Sequence, residues 1–151
     1  MGLFDIFKKP VAIQNDFFGN LRFRKMKAEG KSYFEGKGIF KPTGKEIEYF
    51  ITANEDGPDQ KQKEFYNWIQ ENYSDLVIKF KPLIEDEFRN WKEDFTIKNF
   101  DSEFQLVALT IPNQDMKPLK WDLSFDTEHD ENHQFTVEFS GVEPQAVLID
   151  G

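Results

Sequence analysis

The stretch LKWDLSFD, residues 119–126, decides the fold. Leu119, Trp121, Leu123 and Phe125 alternate with Lys120, Asp122, Ser124 and Asp126, the period-two pattern of a strand with one buried face. The run QFTVEFS, residues 134–140, returns with Phe135, Val137 and Phe139 on its inward side. Residues 127–133 join the two as a charged hairpin loop. After a turn over 141–145, residues 146–149 form a last strand. Just upstream, EFQLVALTI at 103–111 is a nearly continuous apolar run, expected to be a central strand covered on both faces.

Working outward, three earlier segments also read as strands. Residues 17–24 carry Phe17, Leu21 and Phe23 on one side. Residues 32–41 contain Gly36 and Gly38, which mark a bulge or a close backbone approach. Residues 46–53 present Ile47, Tyr49, Ile51 and Ala53 on one face. Short connections make these three an antiparallel meander.

The period then changes. Pro58 suits a first helical position and Asp59 the positive end of a helix dipole. Phe65, Trp68, Ile69 and Tyr73 recur at helical spacing. Ser74 reads as a second N-cap, and Val77, Phe80, Ile84, Phe88 and Trp91 as a second amphipathic stripe, with Pro82 kinking it or delaying its start. A connector follows over 92–101, with a short strand expected at 95–97.

Three strands, two helices and four strands in succession predict an α+β fold. It is a mostly antiparallel sheet with two central helices packed on one face, in a single domain over residues 1–151. Residues 1–16 are expected to be an N-terminal extension in which Leu3, Phe4, Ile6 and Phe7 make one helical turn. The opening MGLFDIFKKP is not expected to be a secretory signal, and Ile6 departs from a myristoylation signal.

The net charge of −9 disfavours direct binding of nucleic acid and suits a basic protein partner. With no cysteine, disulfides, thiol catalysis and Cys-ligated zinc are excluded, and a cytoplasmic location is expected. No apolar run reaches the roughly 20 residues of a membrane span. Seventeen phenylalanines can build a core or leave an aromatic patch for a partner.

No catalytic motif is present. The nearest approach to a phosphate loop, from Gly38 to Lys45, fails on spacing and on its hydroxyl, and Gly36 and Gly38 lie in a strand with no helix following. No G-x-S-x-G elbow exists. No cofactor is called for. One cluster has chemical potential: Asp126, Glu128, His129, Asp130, Glu131 and His133 offer oxygen and imidazole within eight positions. A metal site using Asp126, His129 and His133 is one reading, and a solvated hairpin tip is the other. Trp68, Trp91 and Trp121 fall on apolar faces and read as core.

The pieces FFGNLRF (17–23), FQLVALTIP (104–112), WDLSFD (121–126), HQFTVEFSG (133–141) and VLIDG (147–151) resemble small bacterial domains of unknown function. Some of those families resemble immunity proteins, which neutralise the toxins of polymorphic toxin systems. The resemblance implies a structural signature of Trp121, His133, Asp150 and Gly151, and it implies no chemistry. The lack of any catalytic or cofactor motif, the net charge and the aromatic wealth make a non-enzymatic, acidic protein-binding domain the first expectation, with Asp59, Glu85, Asp86, Asp126 and Asp130 as candidate contacts to a basic partner if the domain is of the immunity type. A metal-dependent hydrolase or small-ligand domain using the 126–133 loop is the alternative.

Overall fold

A computed structural model describes residues 11–150. The expected helical turn at Leu3–Phe7 and the signature residue Gly151 lie outside the described residues. The strands are β1 (Ala12–Asn15), β2 (Gly19–Arg24), β3 (Tyr33–Phe40), β4 (Lys45–Thr52), β5 (Phe104–Ile111), β6 (Lys120–Thr127), β7 (Gln134–Ser140) and β8 (Glu143–Asp150). Two helices lie between β4 and β5: α1 (Gln60–Phe88) and a single turn, α2 (Phe100–Glu103). The eight strands form one sheet in chain order. Every neighbouring pair is antiparallel except β4 and β5, which are parallel. A parallel pair needs a long crossover, and the α1 segment supplies it. The fold is therefore α+β: a meander, a helical crossover and a second meander.

The two expected central helices are one helix of 29 residues that runs through both Ser74 and Pro82. Phe65, Ile69, Tyr73, Leu76, Phe80, Ile84 and Phe88 recur every three or four positions along it, and all are buried. An internal proline costs about 3 kcal/mol. Burying each large apolar side chain contributes roughly 1.5–3 kcal/mol. Phe80, Ile84 and Phe88 flank Pro82 and are fully buried, so continuing the helix wins. The helix opens with a capping box: Asp59 accepts from the Gln62 amide at 2.9 Å, and the Gln62 side chain accepts from the Asp59 amide at 3.0 Å. Pro58 thus precedes the cap and is not the first helical residue. Gln62 Nε2 also donates to the carbonyls of Thr52 at 2.7 Å and Pro112 at 3.3 Å, joining the ends of the two parallel strands.

Three further expectations change. The extension contains strand β1, paired with β2. Between them, Asn15 Oδ1 accepts the amides of Phe17 and Phe18, so the chain turns there. Phe18 takes the buried place and Phe17 is left 40% exposed. Strand β5 is central, but only one of its faces is fully buried, and Gln105, Val107, Ala108 and Thr110 are half-buried. Its register shifts between Leu106 and Ala108, which keeps Phe104, Leu106, Leu109 and Ile111 in the core. No strand forms at 95–97, although Phe95 and Ile97 are buried.

Among the described residues thirteen phenylalanines are buried, which favours a core over an exposed aromatic patch. Trp121 is in that core and donates to the Gly141 carbonyl at 2.7 Å. Trp68 is half-buried against Trp121. Trp91 is 46% exposed, because α1 ends before it. Gly36 and Gly38 answer the expectation of a close approach: they form the seat of the Tyr49 ring on the neighbouring strand.

Candidate acidic binding site

The loop between β6 and β7 sits beside α2 and the start of β5. Together they border a cleft of about 420 Å³ rimmed by Asp101, Glu103, Asp126, Glu128, Asp130 and Glu131. Lys45 and His133 share its rim, and Lys45 Nζ is engaged by Gln105 Oε1 at 2.6 Å.

Glu103 organises this corner. Its backbone carbonyl accepts from the Thr127 hydroxyl at 2.8 Å and the Glu128 amide at 3.3 Å. Its buried carboxylate accepts from the Lys98 amide at 2.9 Å and meets His129 Nε2 at 2.7 Å. The Asn99 amide bonds the same carboxylate oxygen as Lys98. Burial alone would raise the Glu103 pKa. The Asn99 amide, His129 and the Lys98 amide outweigh it and hold the carboxyl below its ordinary range. The His129 ring lies among Phe88, Phe95 and Phe104, with centroids 6.0, 4.9 and 5.9 Å away. The Glu103–His129 contact therefore clamps the hairpin loop to the core.

Of the five candidate contacts, the cleft brings together Asp126 and Asp130. Asp126 is exposed and accepts from Gln134 at 3.4 Å. Asp130 meets His133 Nδ1 at 2.7 Å and accepts from the Asn132 amide at 3.1 Å. Desolvation raises the Asp130 pKa, but these bonds and the His133 and Lys92 charges leave it lowered. The other three stand elsewhere in local roles. Asp59 caps α1, Glu85 accepts the Ile97 amide at 2.9 Å, and Asp86 pairs with Arg89 at 3.1 Å.

The metal set Asp126, His129 and His133 does not converge, since each histidine faces its own carboxylate, Glu103 or Asp130. The donor group that does form is Glu103, Glu128 and His129, with ligand atoms within 4.8 Å of one another. Sequence reasoning missed Glu103, whose one signal is a lone acid at the head of an apolar run. The signature residues divide as well. Trp121 pairs with Phe139 at one end of the hairpin, while His133 and Asp150 lie at the other, where Asp150 faces Gln134.

No helix among the described residues is long and apolar enough to cross a membrane. Compared with known proteins, the chain matches no family model, no curated protein and no solved structure.

Proposed function

We propose that this chain is a non-catalytic acidic binding domain that holds a basic protein partner in the cytoplasm, in the manner of an immunity-type inhibitor. The observation that supports this reading is the convergence of six carboxylates on one cleft, with a single lysine among them. Such a field speeds encounter with a basic surface and rejects acidic partners. The loop that carries three of these groups, Glu128, Asp130 and Glu131, is pinned by Glu103 and His129, so those charges are held in place before binding.

The test compares two variants of equal charge change. Asp126→Lys with Glu131→Lys alters the cleft. Glu55→Lys with Asp56→Lys alters the exposed turn before α1. Immobilised parent protein is expected to retain a basic protein from the native host, the turn variant to retain it too, and the cleft variant to lose it. Retention of no basic protein, or equal retention by both variants, overturns the reading.

A second reading has one observation of its own, the donor group Glu103, Glu128 and His129. It places a divalent cation at the clamp. Stoichiometric zinc or manganese in the dialysed protein, lost on Glu128→Gln, supports it. Metal-free protein that takes up neither ion refutes it.

A further inference from the structure

The helix packs on one face of the sheet, and on β6 and β7 the other face carries the polar side chains, of which Asp126, Gln134 and Glu138 are exposed and the small Ser124 and Thr136 are buried between them. On β6–β8 that face is set by register. Asp122 stands opposite Glu138, Ser124 opposite Thr136, and Glu138 and Thr136 oppose Ala146 and Leu148 of β8. The inward residues of the same strands, Trp121, Leu123, Phe125, Phe135, Val137 and Phe139, are all buried in the core.

Most of this face is internally matched. The Ser124 and Thr136 hydroxyls bond each other at 2.9 Å, and Gln134 donates to Asp126 at 3.4 Å. One cross-strand pair breaks the pattern. Asp122 and Glu138 are like charges directly opposite each other, an arrangement that destabilises a sheet. Among the described residues neither has a cation within ion-pair distance. Lys120 borders the same hollow without pairing to either. The mismatch is felt at Asp122. Burial, then Glu138 and Asp150, hold its carboxyl above the ordinary range, against a hydrogen bond with Thr110. A sequence that satisfies its other neighbours and violates one pair marks a place where function outweighs local stability. One cross-strand row along, opposite Thr136 and diagonal to Glu138, Leu148 is 45% exposed and offers an apolar contact on the same face.

We propose that this face of β6–β8 is where the basic partner docks, with an arginine of that partner seated between Asp122 and Glu138 and its neighbouring apolar residue on Leu148. This rests on the acidic-binding reading and gives it an address. Asp126 stands on this face and also on the cleft rim, with the neutral Ser124–Thr136 pair between it and Asp122. A planar guanidinium can bridge two carboxylates, and once the partner excludes water it removes a repulsion that the free protein carries.

The probe is a nona-arginine peptide, titrated into the isotopically labelled protein at about 50 mM salt, where a surface charge field remains effective. Binding is expected to shift backbone resonances around Asp122, Glu138 and Leu148. The Asp122 carboxyl should titrate at lower pH when peptide is present. Asp122→Asn with Glu138→Gln should weaken binding about tenfold or more, the loss expected on truncating buried charge contacts. Asp126→Asn with Glu131→Gln, which removes the same charge, should weaken it by less. Native spectra of both variants establish that they fold. The reverse order of losses, or an unmoved Asp122 titration, overturns the docking address while leaving the acidic-binding reading in place. Absence of peptide binding to the parent protein overturns both.

Discussion

Replacing Gly36 with alanine tests the packing that fixes the first meander. A Cβ at this position falls 2.6 Å from Leu21 Cδ2, 2.9 Å from Tyr49 Cε1 and 3.1 Å from the Asn20 carbonyl oxygen. Comfortable carbon contacts lie near 3.5–4.0 Å, so the Leu21 methyl must retreat by about 1 Å. It has little room, since Leu21 is 1% exposed. The Tyr49 ring cannot swing away freely either, because its hydroxyl donates to the Phe18 carbonyl and lies 3.0 Å from the Lys37 carbonyl. Overpacking of this kind costs roughly 1–3 kcal/mol. The lower unfolded-state entropy of alanine returns about 0.4–1 kcal/mol. The net expectation is a loss of about 1–2 kcal/mol, a sizeable part of a total stability of about 5–15 kcal/mol. Urea unfolding followed by tryptophan fluorescence reads it as a lower midpoint at unchanged slope. Leu21→Ala removes the atom most crowded by the new methyl. The double variant should therefore be more stable than the two single losses predict, by about 0.5 kcal/mol or more. A Gly36→Ala protein as stable as the parent, or strict additivity with Leu21→Ala, would refute the seat described for Tyr49.

Phe80 is fully buried against Phe100, Phe125 and Phe139, with ring centroids 5.5, 5.5 and 6.1 Å away. Phe80→Ala should cost about 3–5 kcal/mol in urea unfolding, and a cost below about 1 kcal/mol would mean that α1 does not lie on the second meander. Glu103 ionises below its ordinary value of 4.5 in the fold, so its contribution is full above that pH and is lost as pH falls through the lower folded value. The parent's urea midpoint should therefore fall on acidification below about pH 4.5 by more than that of Glu103→Gln, and parallel curves would count against the clamp. Burial pushes Tyr49 up to about 12 and raises Tyr66 and Tyr73 further from the ordinary 10.0. The neutral phenols stabilise the fold below pH 10, and this is lost as pH rises toward the folded values. Absorbance at 295 nm should show these three tyrosines ionising only together with unfolding, whereas ionisation near pH 10 with the fold intact would refute their burial.

Local period carried the parts of the fold that the sequence exposed. Trp121, Leu123 and Phe125 alternate so regularly that β6 and β7 are legible without coordinates, and the same holds for Ile47, Tyr49 and Ile51 on β4. The helix was legible as a stripe but not as one piece. Pro82 is a local signal for a break, and what overrides it is the burial of Phe80, Ile84 and Phe88 against strands far away in the chain. Strand β1 carries no alternation worth reading, and its existence depends on pairing with β2. The acidic hairpin was visible as composition. Its clamp was not, because Glu103 and His129 are 26 residues apart and meet only through the β5–β6 pairing.

By itself the sequence determined the α+β class, the outward places of Asp122, Asp126 and Glu138, and the collection of both histidines with four acids in one loop. These follow from nearest-neighbour geometry, which repeats every two or every three to four residues. Tertiary structure alone decided that β4 runs parallel to β5, that one helix runs unbroken over the core face, and that Asp122 confronts Glu138 across β6 and β7. Side-chain period says which way a residue faces, but which partner it faces is fixed by register, and register is set by how the whole sheet closes over its core.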